Sequence, residues 1–219
     1  MNGLVLPIDK PAGWTSFDVV AKLRGGLKWK KVGHAGTLDP AATGLLIVVF
    51  GNCTSDSEKF MGLGKRYRGV VKLGVTTDTD DLDGQVTGET EVRWNVTEIE
   101  NAVQQFQGEI LQAPPSVSAI KIDGKRSYKR ARKGEEVKHA PRPVEIEEIR
   151  IVELDNPFVT LDIRCSKGTY IRSIARDLGR ELGCGGTLAS LRRTEIGPYS
   201  VDDAWEIGEV LMHPEFRGQ

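Results

Sequence analysis

The sequence predicts an α+β fold with a mixed, largely antiparallel sheet flanked by helices. Three observations support this prediction: apolar or alternating segments typical of strands, capped amphipathic helices between them, and turn signals typical of hairpins. The 219 residues suit a single domain, 1–219, with a sizeable core. Neither an internal repeat nor a low-complexity linker divides the chain.

The first half of the chain contains one helix and two strands by its residue pattern. In "TSFDVVAKLRGG", Thr15 and Asp18 form a capping-box pattern and Gly25 ends the helix. Its predicted apolar face is Phe17, Val20 and Ala21. "LLIVVF" is short, apolar and β-branched, which predicts a buried strand. "YRGVVKLGV" predicts a further strand, which leads into the acidic turn "TTDTDDLDGQ".

A second helix is predicted in "TEIENAVQQFQG", with Thr97 and Glu100 as its cap and Gly108 at its end. Its apolar stripe is Ile99, Val103 and Phe106. Apolar and polar residues alternate cleanly in the predicted strand "FVTLDIRC". In the predicted strand before it they alternate in two different phases. The change of phase between Val144/Ile146 and Ile149/Ile151 predicts a bulge near Glu147.

A third helix is predicted in "YIRSIARDLGREL". Its apolar stripe consists of Ile171, Ile174, Ala175, Leu178 and Leu182. Arginines recur at four-residue steps and therefore share a second face, at Arg172, Arg176 and Arg180.

Charge is segregated along the chain although its net value is only −1. Nine acids and one base lie between Asp78 and Glu109, whereas nine bases and three acids lie between Lys121 and Arg142. A second basic stretch, from Arg164 to Arg193, has seven bases and two acids. Tyrosines lie within both basic stretches, and this combination leaves a nucleic-acid partner and a merely solvated surface equally open.

Several classes of protein are excluded by composition. No apolar run is long enough to span a bilayer, and the N-terminus lacks the pattern of a signal peptide. The three cysteines have neither metal-ligand nor disulfide spacing. We therefore expect a cytoplasmic protein without metal or cofactor.

The glycine-rich stretch "GHAGTLDPAATG" places one carboxylate, Asp39, directly before the buried strand. By itself this Asp-Pro pair is more typical of a turn than of a catalytic site. The stretch also lacks the spacing of a nucleotide-binding loop. His34, Tyr67 and Arg172 each have equally ordinary structural interpretations when taken alone.

Taken together, the motifs resemble those of the TruB family of tRNA pseudouridine synthases. They occur in order from about Leu4 to Ala204: "GLVLPIDKPAGWTSFDVVAKLR", "KVGHAGTLDPAATGLL", "KRYRGVVKLGVTTDTDDLDGQV", "PPSVSAIKIDGKRSYKRARKGEEV", "SKGTYIRSIARDLGRELG" and "LASLRRTEIGPYSVDDA". The resemblance implies a stand-alone enzyme that converts uridine to pseudouridine at position 55 of the tRNA T loop. It needs no cofactor, and we expect it to act as a monomer.

The resemblance also assigns roles to residues. Asp39 is implied as the catalytic carboxylate, Tyr67 as the residue that stacks on the target base, and Arg172 as the partner of Asp39. A carboxylate can serve as nucleophile or can remove a ribose proton so that a glycal forms, and the sequence leaves both routes open.

Substrate binding is implied for a larger set that lies in the cleft and on a thumb-like insertion at 116–142. His34 helps to hold the T loop, Tyr170 lines the pocket, and Lys10 belongs to a structural motif beside the site. The expected phosphate contacts are Lys121, Lys125, Arg126, Lys129, Arg130 and Arg132.

The sequence departs from the family at its C-terminal end. Family members continue into a small RNA-binding PUA domain, whereas here only a short stub, 205–219, follows the last motif. We therefore expect no PUA domain. Two other functions stay open: a tRNA-binding folding chaperone with weak or no catalysis, and a guide-RNA-dependent pseudouridine synthase, whose usual need for a C-terminal domain and protein partners disfavours it.

Overall fold

The computed structural model describes residues 2–117, 121–122, 125–126 and 139–218, the two short pairs by their backbone alone. The chain divides into two compact units. The first comprises Met1–Arg68 and Leu191–Gln219, and the second comprises Gly69–Ser190. Strands and helices alternate in both, and most described strand pairs are antiparallel, which confirms the predicted fold class.

The first unit is built on strand β3 (Thr43–Gly51), which pairs antiparallel with β1 (Gly3–Lys10) and β2 (Val32–Ala35). Strand β3 alternates between two hydrophobic clusters, with Leu46, Val48 and Phe50 in one cluster and Leu45, Ile47 and Val49 in the other. A strand covered on both faces needs a continuous apolar sequence, so the predicted buried strand "LLIVVF" is confirmed.

Helix α1 (Ser16–Leu27) covers one of these clusters. Thr15 and Asp18 cap it reciprocally, as predicted. Its predicted end was wrong, since the helix continues past Gly25 to Leu27. Of the predicted apolar face, Val20 is buried as expected, whereas Phe17 is 63% exposed and Ala21 is half-buried. The other buried apolar residues of the helix are Val19, Leu23 and Leu27. The glycines do not end the helix because Leu211 packs closely against Gly26, where a side chain would collide with it.

The first unit also contains three short elements, which are helix α2 (Ser57–Gly62), strand β13 (Tyr199–Ser200) and helix α5 (Ile207–Met212). Strand β12 (Gly186–Ile196) has residues in both units, and its Arg192 and Arg193 pair in parallel with Thr43 and Gly44 of β3. The base of the glycine-rich stretch is thereby fixed from two sides, because β1 also pairs with Gly44.

The elements of the second unit in chain order are β4 (Lys65–Leu73, which begins in the first unit), β5 (Val75–Thr77), β6 (Val86–Glu89), α3 (Val96–Gln104), β7 (Gly108–Gln112), β8 (Lys121–Ile122), β9 (Lys125–Arg126), β10 (Arg142–Asp155), β11 (Phe158–Cys165) and α4 (Ile171–Glu181). Four of its strands have the order β4-β11-β10-β7, in which β10 pairs antiparallel with both β11 and β7. Strands β5 and β6 pair across the acidic turn, and β8 pairs with β9 inside the predicted thumb-like insertion.

Two predictions for this unit are confirmed and one needs correction. The register of β10 against β11 shifts between Ile146 and Glu148, where the bulge is predicted. Helix α4 buries the predicted stripe except for Leu182, which caps it. Helix α3, by contrast, begins two residues earlier than predicted, because the Asn95 side chain accepts a hydrogen bond from the Glu98 amide.

Among the described residues, no helix has both the length and the apolar character that crossing a bilayer requires.

Candidate active site

The loop that carries Asp39 lies between β2 and β3 in the first unit. The Asp39 carbonyl accepts a hydrogen bond from the Ala42 amide at 3.1 Å, so the Asp-Pro pair does form a turn. Gly44 ends the loop with a φ of +98°, and a side chain there would collide with the backbone of Arg193. Only glycine suits such a position, which explains the residue between the loop and the buried strand.

Lys10 anchors one side of the loop that carries Asp39. It is 0% exposed, and its ammonium donates to the carbonyls of Pro11, Trp14 and Pro40 at 2.8, 2.6 and 3.2 Å. Burial lowers the pKa of Lys10 to about 8, and the opposite charge of Asp39 counteracts part of that shift. Because its three N–H groups all bind main-chain carbonyls, the contacts of Lys10 favour the structural role that the resemblance implies over direct contact with RNA.

Arg193 supplies a second buried cation near the loop. It is 1% exposed, and its guanidinium donates to the carbonyls of Leu45 at 2.7 Å and Gly36 at 3.1 Å. Sequence analysis did not select this residue, because an arginine within "LRRTEIG" gives no sign that it will bind the main chain of a distant loop. The loop around Asp39 is therefore held by two buried cations.

His34 and Tyr67 also belong to the first unit. His34 lies on β2, and its buried Nδ1 has no hydrogen-bond partner among the described residues. Burial, and secondly the charge of Arg193, lower the pKa of His34, so the imidazole is neutral at pH 7. Because this nitrogen is buried, it faces no open site in the described residues, and the role of His34 in holding the T loop stays a prediction. Tyr67 lies on β4 and is 8% exposed.

Arg172 lies in the second unit, at the second position of α4, and is 6% exposed. Its guanidinium donates to the carbonyls of Thr79 and Val117, each at 3.0 Å. It also lies 3.4 Å from a carboxylate oxygen of Asp81. Sequence analysis missed Asp81, and the available signal was the density of acids in "TTDTDDLD". The predicted partner, Asp39, belongs to the first unit, and that pairing stays a prediction.

The acidic turn is fixed to α4 a second time, one helical turn further along. Arg176 donates to Asp80 at 2.9 Å and to the Ala113 carbonyl at 2.9 Å. Burial raises the pKa of Asp80, although Arg176 opposes the shift. Of the three arginines on the predicted face, two bind this turn, whereas the side chain of Arg180 is 74% exposed.

Tyr170 immediately precedes α4 and is held by two residues of the second unit. The side-chain amide of Gln112 accepts from the Tyr170 N–H at 2.8 Å and donates to its carbonyl at 3.1 Å. The guanidinium of Arg142 lies 5.2 Å from the centre of the Tyr170 ring and donates to Gly168 at 2.6 Å. Neither contact could be predicted from a local pattern, since Gln112 and Arg142 are far from Tyr170 along the chain.

The predicted phosphate contacts lie on the insertion. Lys121 is in β8, and Lys125 and Arg126 are in β9, where the backbone alone is described. Lys129, Arg130 and Arg132 lie outside the described residues. Their role in binding phosphates stays a prediction.

Each unit thus holds part of the predicted constellation. The first brings together Asp39, Lys10 and His34 around one fixed loop, and the second brings together Tyr170 and Arg172 at the start of one helix. A carboxylate on a fixed loop is suited to act as a nucleophile or as a base.

Comparison with known families gives two adjoining matches. Residues 24–171 match the TruB family pseudouridylate synthase (N terminal domain). Residues 172–215 match the tRNA pseudouridylate synthase B C-terminal domain.

Curated relatives extend these matches over nearly the whole chain. A tRNA pseudouridine synthase B from Corynebacterium diphtheriae is 46% identical over 226 residues, which cover 97% of this chain and 73% of the relative. The protein of the same name from Opitutus terrae is 45% identical over 216 residues, which cover 97% of this chain and 90% of the relative.

Solved structures give a similar result. A Cbf5–Nop10–Gar1 complex contains a chain with a TM-score of 0.76 at 29% identity, which covers 96% of this chain and 54% of that one. An H/ACA RNP bound to a substrate RNA containing 2′-deoxyuridine gives a TM-score of 0.72 at 26% identity, covering 96% and 52%. This chain therefore spans about half the length of those solved chains.

Proposed function

The chain belongs to the TruB family of pseudouridylate synthases, and on that premise we propose that it isomerises uridine to pseudouridine in tRNA. The finer proposal is that it modifies position 55 in the T loop. It acts as a monomer in the cytoplasm, with no guide RNA, metal or cofactor. The curated relatives named tRNA pseudouridine synthase B support this proposal.

The reaction needs one bond to break and another to form. The N1–C1′ glycosidic bond is cleaved, the base turns, C5 bonds to C1′, and the C5 proton leaves while N1 gains a proton. Asp39 starts this sequence either by attacking C1′ or by removing a ribose proton. Tyr67 stacks on the base and handles the C5 proton, and Arg172 orients Asp39.

The observation that carries the proposal is the fixed backbone on both sides of Asp39. Leu38 is hydrogen-bonded to Ser16, and Pro40 is hydrogen-bonded to Lys10 and Gly13. A carboxylate whose main chain cannot shift is positioned for attack on a bound nucleotide, and such positioning accounts for a large part of catalysis in general.

Charge near the loop supports the same role. Lys10 and Arg193 place two buried cations at the carbonyls of Pro40 and Gly36, within the loop that carries the Asp39 carboxylate.

The test is the loss of activity in Asp39→Asn, a change that keeps the shape and removes the charge. We expect this variant to bind an unmodified tRNA transcript with the affinity of the original protein. Tritium release from [5-³H]uridine should fall by about 10² or more, the contribution of a positioned catalytic group.

Asp56→Asn provides the matched control, because Asp56 is paired with Lys59 at the surface and should not affect the reaction. Turnover by Asp39→Asn above about a hundredth of the original would contradict the assignment. The same assay separates the other two functions: a chaperone binds the transcript without releasing tritium, and a guide-dependent synthase releases tritium only when guide RNA is added.

A further inference from the structure

We propose that Ser16 is a positioning residue for the reaction, because its hydroxyl fixes the peptide on the amino side of Asp39. The inference rests on the proposed function, in which Asp39 is the catalytic carboxylate. Ser16 is the first residue of α1 and is 2% exposed. Its Oγ accepts from the Leu38 N–H at 2.9 Å and donates to the Leu38 carbonyl at 3.3 Å.

The hydroxyl of Ser16 is available for this role because another residue caps the helix. Serine near a helix N-terminus commonly binds the free amides of its own first turn. Here Thr15 does so, accepting from the Asp18 amide at 3.0 Å while Asp18 accepts from the Thr15 amide at 2.9 Å. Ser16 is instead hydrogen-bonded to a residue that lies 22 positions away in sequence.

The residues on both sides of Asp39 are consequently hydrogen-bonded to one short segment, residues 10–16. On its carboxyl side, the Pro40 carbonyl accepts from the Gly13 amide at 2.9 Å and from Lys10 at 3.2 Å. On its amino side, the side chain of Leu38 is buried in the core and its main chain is bound by Ser16. Without the hydroxyl, the Leu38 peptide gains freedom to rotate, and the carboxylate that follows it loses its fixed direction.

A simpler interpretation is that Ser16 is only a small residue that fits a buried position. Alanine would then serve equally well. The two interpretations differ in their effect on the chemical step, since a loose carboxylate slows reaction without weakening tRNA binding.

The first experiment compares Ser16→Ala with Thr15→Ala in single-turnover assays on unmodified tRNA, well below the melting temperature. Thr15→Ala is the matched control because it weakens the same helix end but leaves the hydrogen bonds to Leu38 intact. We expect Ser16→Ala to react about 10–100 times more slowly, with a Kd for tRNA within about twofold. Thr15→Ala should react at the original rate.

The second measurement is amide hydrogen exchange at Leu38, which requires no activity. Exchange should be at least about tenfold faster in Ser16→Ala and unchanged in Thr15→Ala. If the original protein failed to modify tRNA, the proposed function would fall, and this measurement would still decide whether Ser16 fixes the loop.

The inference would be overturned if Ser16→Ala had the single-turnover rate and the Leu38 amide exchange of the original protein. It would also be overturned if Thr15→Ala lost as much rate as Ser16→Ala. If Ser16→Ala does not fold, Ser16→Cys replaces it under the same criteria. Its thiol keeps the shape but forms weaker hydrogen bonds, so an intermediate rate is expected.

Discussion

At the scale of single residues, Lys10 combines complete burial with a full set of hydrogen bonds. Its ammonium is removed from water, and three carbonyls replace the water molecules. Burial lowers its pKa from 10.5 to about 8. The fold therefore holds a lysine that loses its charge under mildly alkaline conditions.

We expect this pKa to be measurable and to affect stability. Between pH 8 and 10.5 the unfolded lysine retains a proton that the folded protein has released. The contribution of Lys10 to the free energy of unfolding consequently rises with pH across that window. Carbon-13 NMR of labelled lysine should give a titration near pH 8 that is absent from Lys10→Met. In urea unfolding, the free energy of unfolding of the original protein minus that of Lys10→Met should increase from pH 8 to 10. A titration midpoint of Lys10 above pH 10 would contradict the expectation.

Sequence analysis proposed site residues but not the partners that the structure gives them. Asp39, Tyr67 and Arg172 could be selected because they lie within long motifs. The contacts of Arg172 with Asp81, of Gln112 with Tyr170 and of Ser16 with Leu38 could not be selected. Each joins residues that are far apart in sequence, and periodicity within one segment carries no information about such pairs.

At the scale of secondary structure, helix α4 receives its cap from a distant strand. Tyr170 precedes the helix and makes no side-chain cap of its own. The side chain of Gln112, at the end of β7, instead binds both main-chain groups of Tyr170. The start of the helix that carries Arg172 is therefore fixed by a strand end.

Gln112→Leu, which removes these hydrogen bonds at nearly constant volume, should destabilise the protein. The Tyr170 N–H would lose its partner, whereas the Tyr170 carbonyl would keep the hydrogen bond that it accepts from the Ile174 amide at 3.3 Å. The expected cost is about 1–3 kcal/mol in the free energy of unfolding. Gln104→Leu is the matched control, since Gln104 is exposed on α3 and its replacement should cost less than about 0.5 kcal/mol. Urea denaturation measures both, and equal stabilities for the two variants would show that the Gln112 contacts contribute little.

The elements themselves were largely predictable from local patterns. The cap of α1 and the bulge in β10 are local signals, and both are confirmed. The predicted end of α1 was wrong for a tertiary reason, whereas the predicted start of α3 was wrong because another local cap precedes the one chosen. Gly25 and Gly26 stay helical where Leu211 packs on the helix, and Asn95 begins α3 ahead of the two residues chosen as its cap.

At the scale of the whole molecule, segregated charge reconciles a net charge of −1 with an RNA substrate. Nine bases between Lys121 and Arg142 make that segment positively charged. Acids elsewhere in the chain bring the net charge near zero but do not neutralise the segment locally. Binding to phosphates through this segment should be strongly salt-dependent.

Replacing Lys125, Arg126 and Lys129 by glutamine should weaken tRNA binding. The slope of log Kd against log salt should decrease by up to about 2–3, because each lost phosphate contact contributes ~0.7–0.9. Replacing the exposed Lys30, Lys31 and Lys59 changes the net charge equally and should leave the slope unchanged. Filter binding at several salt concentrations measures the slope for both triple variants. An unaltered slope in the variant at Lys125, Arg126 and Lys129 would place the segment outside the RNA interface.

The fold class was predictable from the sequence, whereas the division into units was not. A search for linkers assumes that each unit is one continuous stretch of chain. The first unit combines residues 1–68 with 191–219, so no change of composition marks its boundaries.

This division also sets an order of events during synthesis on the ribosome. Asp9 binds Arg192, a partner 183 positions later, and strand β3 pairs with β12 beside it. The amino-terminal segment is therefore synthesised well before its partner in β12, and residues 69–190 are complete before the Asp9–Arg192 pair can form. We therefore expect the loop that carries Asp39 to gain its hydrogen bond from Arg193 only after residues 69–190 have been synthesised.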